Sequence, residues 1–165
     1  MQRLFEALTA RKLTLAIAEG DTGGLVLELL TAIPGSSAVV LGGVVAYDDS
    51  LKIGVLGVPA GVLRDHGAVS TEAAEAMALG VRRLCHADIG VATTGIAGPG
   101  GATPSKPVGL AYVAAVSSSA TLIREHHWQG DRAANRLASA QAAAALVLEL
   151  LENNDNRRTP VLASR

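Results

Sequence analysis

The stretch TLAIAEGDTGGLVLELLT, residues 14–31, decides the fold. Residues 13–18 form an apolar run that reads as a buried strand. A glycine-rich corner follows, and helix signals resume at about Thr22. They end before IPGSS (33–37), where Pro34 and Gly35 mark a turn. Strand, tight corner and helix in succession is the unit of layered α/β folds.

Working outward, the same alternation continues. Residues 2–11 suit a short amphipathic helix with Leu4, Phe5 and Leu8 on one face. AVVLGGVVAY (38–47) is valine-rich and predicts a central strand, with Gly42 and Gly43 placed for a bulge. DDSLKIGVLG starts as one helical turn, and PAGVLRDHG gives another between Pro59 and Gly67. STEAAEAMALGVRRLCHA is the clearest helix. Ser70 or Thr71 caps it, and its acids and arginines match the two ends of the helix dipole. DIGVATTG is a second buried strand, leading into the loop IAGPGGATPSKP. VGLAYVAAVS and ATLIREHHW form a hairpin about Ser117–Ser119, and a long helix runs from about Asp131 to Glu152. The expectation is a three-layer α/β/α sandwich on a mixed, mostly parallel sheet. It comprises a single domain over residues 1–152 and a polar tail over 153–165.

Composition narrows the function. The 165 residues are 49% hydrophobic with a formal net charge of −1, which argues against broad binding to nucleic acid. No apolar run reaches the length of a membrane span. The opening MQRLFEALTARK lacks the pattern of a secretion signal, so a cytoplasmic protein is expected. The single cysteine, Cys85, excludes an internal disulfide and reads as a buried thiol late in a helix. His126 and His127 are adjacent, so a strand turns them to opposite faces, and no metal is expected.

Ligands of such sheets sit at the carboxyl ends of the strands. Three loops are expected there: 19–24, 47–52 and 94–107. In the first, Gly23 and Gly24 open a helix. Their N–H groups either hold a phosphate or oxyanion, or simply let the helix pack. In AYDDSLK (46–52), Lys52 is either a base made useful by burial, with Tyr47 beside it, or a solvated side chain. The third loop, with Thr93 and Thr94 at its start, is dense in glycine and proline and offers N–H groups. Arg132, in GDR, either reaches a phosphate or is exposed.

Together AEGDTGG, GSSAVVLGGVVAYDDSLK, HGAVSTEAAEAMALG, TGIAGPGGATPSKPVGLAYVA and GDR resemble the C-terminal domain of the CinA (competence/damage-inducible) proteins, in order over about residues 10–150. Standalone members include nicotinamide mononucleotide amidohydrolases of the PncC type. The resemblance implies a three-layer fold and an amidase that splits nicotinamide mononucleotide into nicotinic acid mononucleotide and ammonia, in pyridine nucleotide salvage. It implies neither metal nor cofactor. It implies a serine nucleophile in a loop Ala-Glu-Ser-Cys-Thr-Gly-Gly, assisted by the residues matching Lys52 and Tyr47. Glu19, Thr22, Gly23, Gly24, Thr94, Gly95, Ala97, Gly98 and Arg132 fall at the matching substrate-binding positions. At the serine's place stands Gly20, and Asp21 replaces the cysteine.

Two readings follow. One is an amidohydrolase with a substitute nucleophile drawn from Asp21, Thr22, Ser36 or Ser37. The other is a catalytically inactive homologue that binds the nucleotide as a sensor. A purely structural subunit is a third. If Asp21 lies beside a buried Lys52, the two are expected to form an ion pair, which would spoil the lysine as a base. Apolar helix faces suggest a homo-oligomer.

Overall fold

The computed structural model describes residues 1–158, with side chains through Asp155. The elements are α1 (Gln2–Arg11), β1 (Leu15–Glu19), α2 (Leu25–Thr31), β2 (Val40–Val45), α3 (Asp49–Gly54), α4 (Ala60–His66), α5 (Thr71–Leu84), β3 (Ile89–Gly95), β4 (Leu110–Val116), β5 (Thr121–His127) and α6 (Arg132–Arg158). A short 3-10 turn, Ser36–Ala38, precedes β2. The sheet order is β2-β1-β3-β4-β5. β2, β1 and β3 are parallel, β4 opposes β3, and β5 opposes β4. All strands but β4 therefore share one direction, as expected of a mixed, mostly parallel sheet.

Alternation along the buried strands sorts side chains by size. Leu15 and Ile17, Ile89 and Val91, and Val113 and Ala115 face α1, α2 and α6. Ala16 and Ala18, Ala92 and Ala114 face α5, where Ala74, Met77, Ala78 and Val81 meet them. Small residues on that face let α5 lie close to the sheet. A Cβ added at Gly90 would stand 2.2 Å from the Ala78 carbonyl oxygen, so this approach needs glycine there. Buried aliphatic side chains, each worth about 1.5–3 kcal/mol, supply the core that scarce aromatics do not.

Several boundaries differ from the expectation. β2 is an edge strand, not a central one, and its Leu41 and Val45 are exposed. The bulge is present, since Leu15 pairs with Val40 and Ala16 with Gly42, leaving Leu41 extra. α2 begins at Leu25 because Gly23 and Gly24 take left-handed φ values of 59° and 99°. α6 continues to Arg158, so the first residues of the expected polar tail are helical. Residues 159–165 lie outside the described residues. Cys85 caps the end of α5 and is only half-buried, and burial raises its thiol pKa. No helix among the described residues is long and apolar enough to cross a membrane.

Candidate functional site

The three expected loops meet. A cavity of about 280 Å³ at the carboxyl ends of β1, β2 and β3 is lined by Gly20, Asp21, Tyr47, Lys52, Thr94, Gly95, Ala97, Gly98 and Arg132, all predicted for the site. Asp49, Ala68, Val69, Ile96, Gly100 and Gly101 complete it.

Lys52 arrives through local capping. Asp48 accepts from the Ser50 hydroxyl (2.6 Å) and from the Ser50 N–H (2.9 Å), which starts α3, and these bonds hold its carboxyl below the usual range. One turn on, Lys52 is 3% exposed and donates to Asp49 Oδ1 (3.0 Å) and the Tyr47 carbonyl (3.3 Å). The expected ion pair with Asp21 is absent, because Asp49 on the same helical turn takes the lysine. Asp21 is instead held by α6: Ser139 Oγ donates to its Oδ2 (2.8 Å). Burial pushes the Asp21 carboxyl above its usual range, and the nearby charge of Glu19 adds to this against the Ser139 hydrogen bond.

Arg132 begins α6 and closes the cavity. Its guanidinium donates to the Gly98 carbonyl (2.9 Å) and to the Tyr47 hydroxyl (2.9 Å), joining the third loop to the second. Tyr47 itself is mostly exposed, with its ring at the rim rather than within hydrogen-bond distance of Lys52 Nζ. Thr94 spends its hydroxyl proton on the Ala68 carbonyl (2.7 Å), drawing in the segment before α5.

Four predicted residues serve the corner instead of the cavity. Glu19 is fully buried and accepts from Thr22 Oγ1, Gly24 N, Val26 N and Leu27 N, all within 3.0 Å. The first N–H groups of α2 are therefore occupied by the protein's own carboxyl, and the expected anion site at Gly23 and Gly24 is filled from within. Thr22 also contacts Thr93 Oγ1 (2.7 Å) and has no part in the cavity lining. Arg136 braces the same corner from α6 through the Thr22 carbonyl (2.7 Å).

The substitute nucleophiles fare poorly. Ser36 and Ser37 precede β2, whereas the cavity lies after its far end. The Thr22 hydroxyl is turned to Glu19. Gly20 carries no positive φ, so its backbone suits an ordinary residue. A Cβ there would stand 3.0 Å from the Thr93 carbonyl oxygen and 3.4 Å from Thr94 Cα, tight but requiring only a small shift. His126 stacks on Trp128 and His127 pairs with Glu125, and no group of metal-ligand residues forms among the described residues.

The sequence reading missed Asn135, Arg136, Ser139 and Asp49. Arg132, Asn135, Arg136 and Ser139 follow helical i, i+3, i+4, i+7 spacing, a polar stripe on an alanine-rich helix that was there to be read. Asn135 binds the Ala97 carbonyl (3.1 Å) and the Gly130 N–H (2.9 Å), both next to the glycine loop.

The chain is thus a three-layer α/β/α sandwich with a cavity among its strand-end loops and the start of α6. The chain belongs to the CinA C-terminal domain family, whose model matches residues 1–151. It is 49% identical over 145 residues to a CinA-like protein of Syntrophus aciditrophicus, covering 87% of this chain and 34% of that one. It is 47% identical over 146 residues to a putative competence-damage inducible protein of Desulforudis audaxviator, covering 88% and 35%. The chain thus spans about a third of the length of these relatives. Among solved structures, the competence/damage inducible protein CihA of Agrobacterium tumefaciens superposes with a TM-score of 0.88 at 39% identity, over 90% of this chain and 92% of that one. A CinA superfamily protein of Klebsiella pneumoniae gives 0.88 at 33%, over 92% and 94%.

Proposed function

We propose that this chain binds a pyridine mononucleotide, nicotinamide mononucleotide or its acid counterpart, in the strand-end cavity and lacks the serine route to amide hydrolysis. The observation that carries this reading is Gly20. It stands in the cavity wall on an ordinary backbone, at the position where the family resemblance implies a nucleophile. The hydroxyls nearby are committed, Thr94 to Ala68 and Thr22 to Glu19. Glycine has no atom with which to attack a carboxamide, and loss of a serine nucleophile costs roughly a millionfold in turnover. Binding keeps its parts: Arg132 at the rim, Lys52 in the wall and the glycine loop between. The buried Lys52 favours a second reading, residual amidohydrolase activity with water as nucleophile.

The test is ammonia release from nicotinamide mononucleotide, with ligand binding measured in parallel by calorimetry. Binding without release supports the proposal. Ready release that Lys52→Ala abolishes would establish the second reading, and absence of both binding and release would reject both. The oligomer is also a proposal: the exposed apolar side chains of Leu41 and Val45 on the β2 edge suit a second copy of this chain.

A further inference from the structure

Two buried acids flank Gly20, and they are served unequally. Glu19 accepts four hydrogen bonds. Asp21 accepts one side-chain donor, Ser139 on Oδ2, and its Oδ1 is buried without a partner among the described residues. The direction of the Ser139 bond follows from chemistry. The Trp128 indole N–H can only donate, and it reaches Ser139 Oγ at 3.0 Å. The one acceptor found for the Ser139 proton among the described residues is Asp21 Oδ2 (2.8 Å). Oδ2 is therefore an acceptor, and a proton carried by Asp21 sits on Oδ1.

Thr93 lies near enough to favour the Asp21 carboxylate but does not outweigh burial, and no neighbouring hydroxyl is hydrogen-bonded to Oδ1 among the described residues. Thr22 gives its proton to Glu19, so the Thr22–Thr93 contact takes the proton of Thr93. Thr94 gives its own to Ala68. The charged groups around Asp21 are Glu19 from β1, Asp49 and Lys52 from α3, and Arg132 and Arg136 from α6; β3 contributes only hydroxyls. Lys52 is occupied by Asp49, Arg132 by Gly98 and Tyr47, and Arg136 by Thr22. A carboxylate left with one donor and an orphaned buried oxygen is costly, whereas the protonated acid is not.

We propose that Asp21 is a specificity-determining residue, standing as a neutral acid rather than a carboxylate in the wall beside Gly20 and so admitting a ligand whose ring bears a negative substituent. This rests on the pyridine-mononucleotide reading above. The raised carboxyl pKa agrees with it. With Asp21 neutral, the acid form of the nucleotide meets no like charge from this residue, and the other acid of the lining, Asp49, is paired with Lys52. With Asp21 ionised, the ring carboxylate is repelled through a poorly screened wall, and the carboxamide form is preferred.

The experiment compares nicotinic acid mononucleotide with nicotinamide mononucleotide by calorimetry across a pH series, on the whole chain and on Asp21→Asn. Asparagine can keep its amide oxygen on Ser139 and place an N–H where the acid proton lies. The phosphate is common to both ligands, so its ionisation cancels in the affinity ratio. In the natural protein the ratio of acid to amide affinity should fall on the order of tenfold as pH rises through the ionisation of Asp21, the effect of one added charge. In Asp21→Asn it should stay flat. The same pH course in both proteins overturns the inference and leaves the ligand reading intact. Failure of both ligands to bind at any pH overturns the ligand reading and the inference with it. Carboxyl-carbon NMR on the ligand-free natural protein gives a second check should Asp21→Asn fail to fold. Asp21 should ionise well above Asp48 and above Asp88, whose carboxyl is held low by hydrogen bonds from the Thr14 N–H and hydroxyl, and ionisation alongside them would refute the proposal.

Discussion

Glu19 and Asp21 sit on either side of Gly20 and show why a residue's type does not disclose its task. Both are acids in a glycine corner, and the family pattern places both in the site. Glu19 turned out to cap α2 from within, because its carboxyl turns back over the corner to the N–H groups of Gly24, Val26 and Leu27. Sequence shows the acid but not the direction of its side chain. Glu19→Ala should therefore cost on the order of 3–5 kcal/mol, since it strands the Thr22 hydroxyl and these N–H groups in the core. Chemical denaturation measures this, and a change under 1 kcal/mol would contradict the capping role. Asp21 makes the opposite prediction about pH. Its carboxyl is raised in the folded chain, while the unfolded chain ionises near the ordinary value of about 3.9. Between those values the folded state binds more protons, so stability is full below about pH 3.9 and falls as pH rises toward the folded pKa. The stability of the natural protein relative to Asp21→Asn should decline over that window, and parallel profiles would show that Asp21 is ionised in the fold.

At the scale of elements, the start of α6 organises the site. Arg132, Asn135, Arg136 and Ser139 lie along one face and reach the third loop, the third loop again, the first corner and Asp21 in turn. Arg132→Ala removes the tie between Gly98 and Tyr47 as well as a positive group at the rim. Affinity for nicotinamide mononucleotide should drop about tenfold or more, with a smaller loss in thermal stability, and unchanged affinity would take Arg132 out of the site. Much of this element level was legible beforehand. The strand–corner–helix unit, the α5 cap at Ser70 and the late hairpin follow from short-range signals that survive tertiary context. The convergence of three loops followed from the parallel strands. What escaped were pairings set by helical phase, such as Asp49 with Lys52 and Ser139 with Asp21. The first is a local i, i+3 pair on one helical turn, whereas the second depends on which turn of α6 faces a loop distant in sequence.

The whole molecule has two unlike sheet edges. β5 carries Arg124, Glu125 and His127 on its exposed positions, charges that discourage pairing. β2 carries the exposed apolar side chains of Leu41 and Val45. Its valine-rich sequence suggested a central strand because a covered interior face and an uncovered apolar edge look alike in composition. If a second copy covers that edge, Leu41→Glu with Val45→Lys should give a monomer by light scattering where the natural chain is larger. An unaltered mass would place any interface elsewhere. Under the proposed function, the chemistry turns on a single missing side chain. The cavity wall offers Gly20 an ordinary backbone and space for a Cβ after a small shift of the Thr93 carbonyl. The most direct test is ammonia release from nicotinamide mononucleotide by the natural chain and by Gly20→Ser. Binding without turnover in the first, and a gain of turnover in the second that Lys52→Ala removes, is the result predicted. Equal, rapid turnover by both would contradict it.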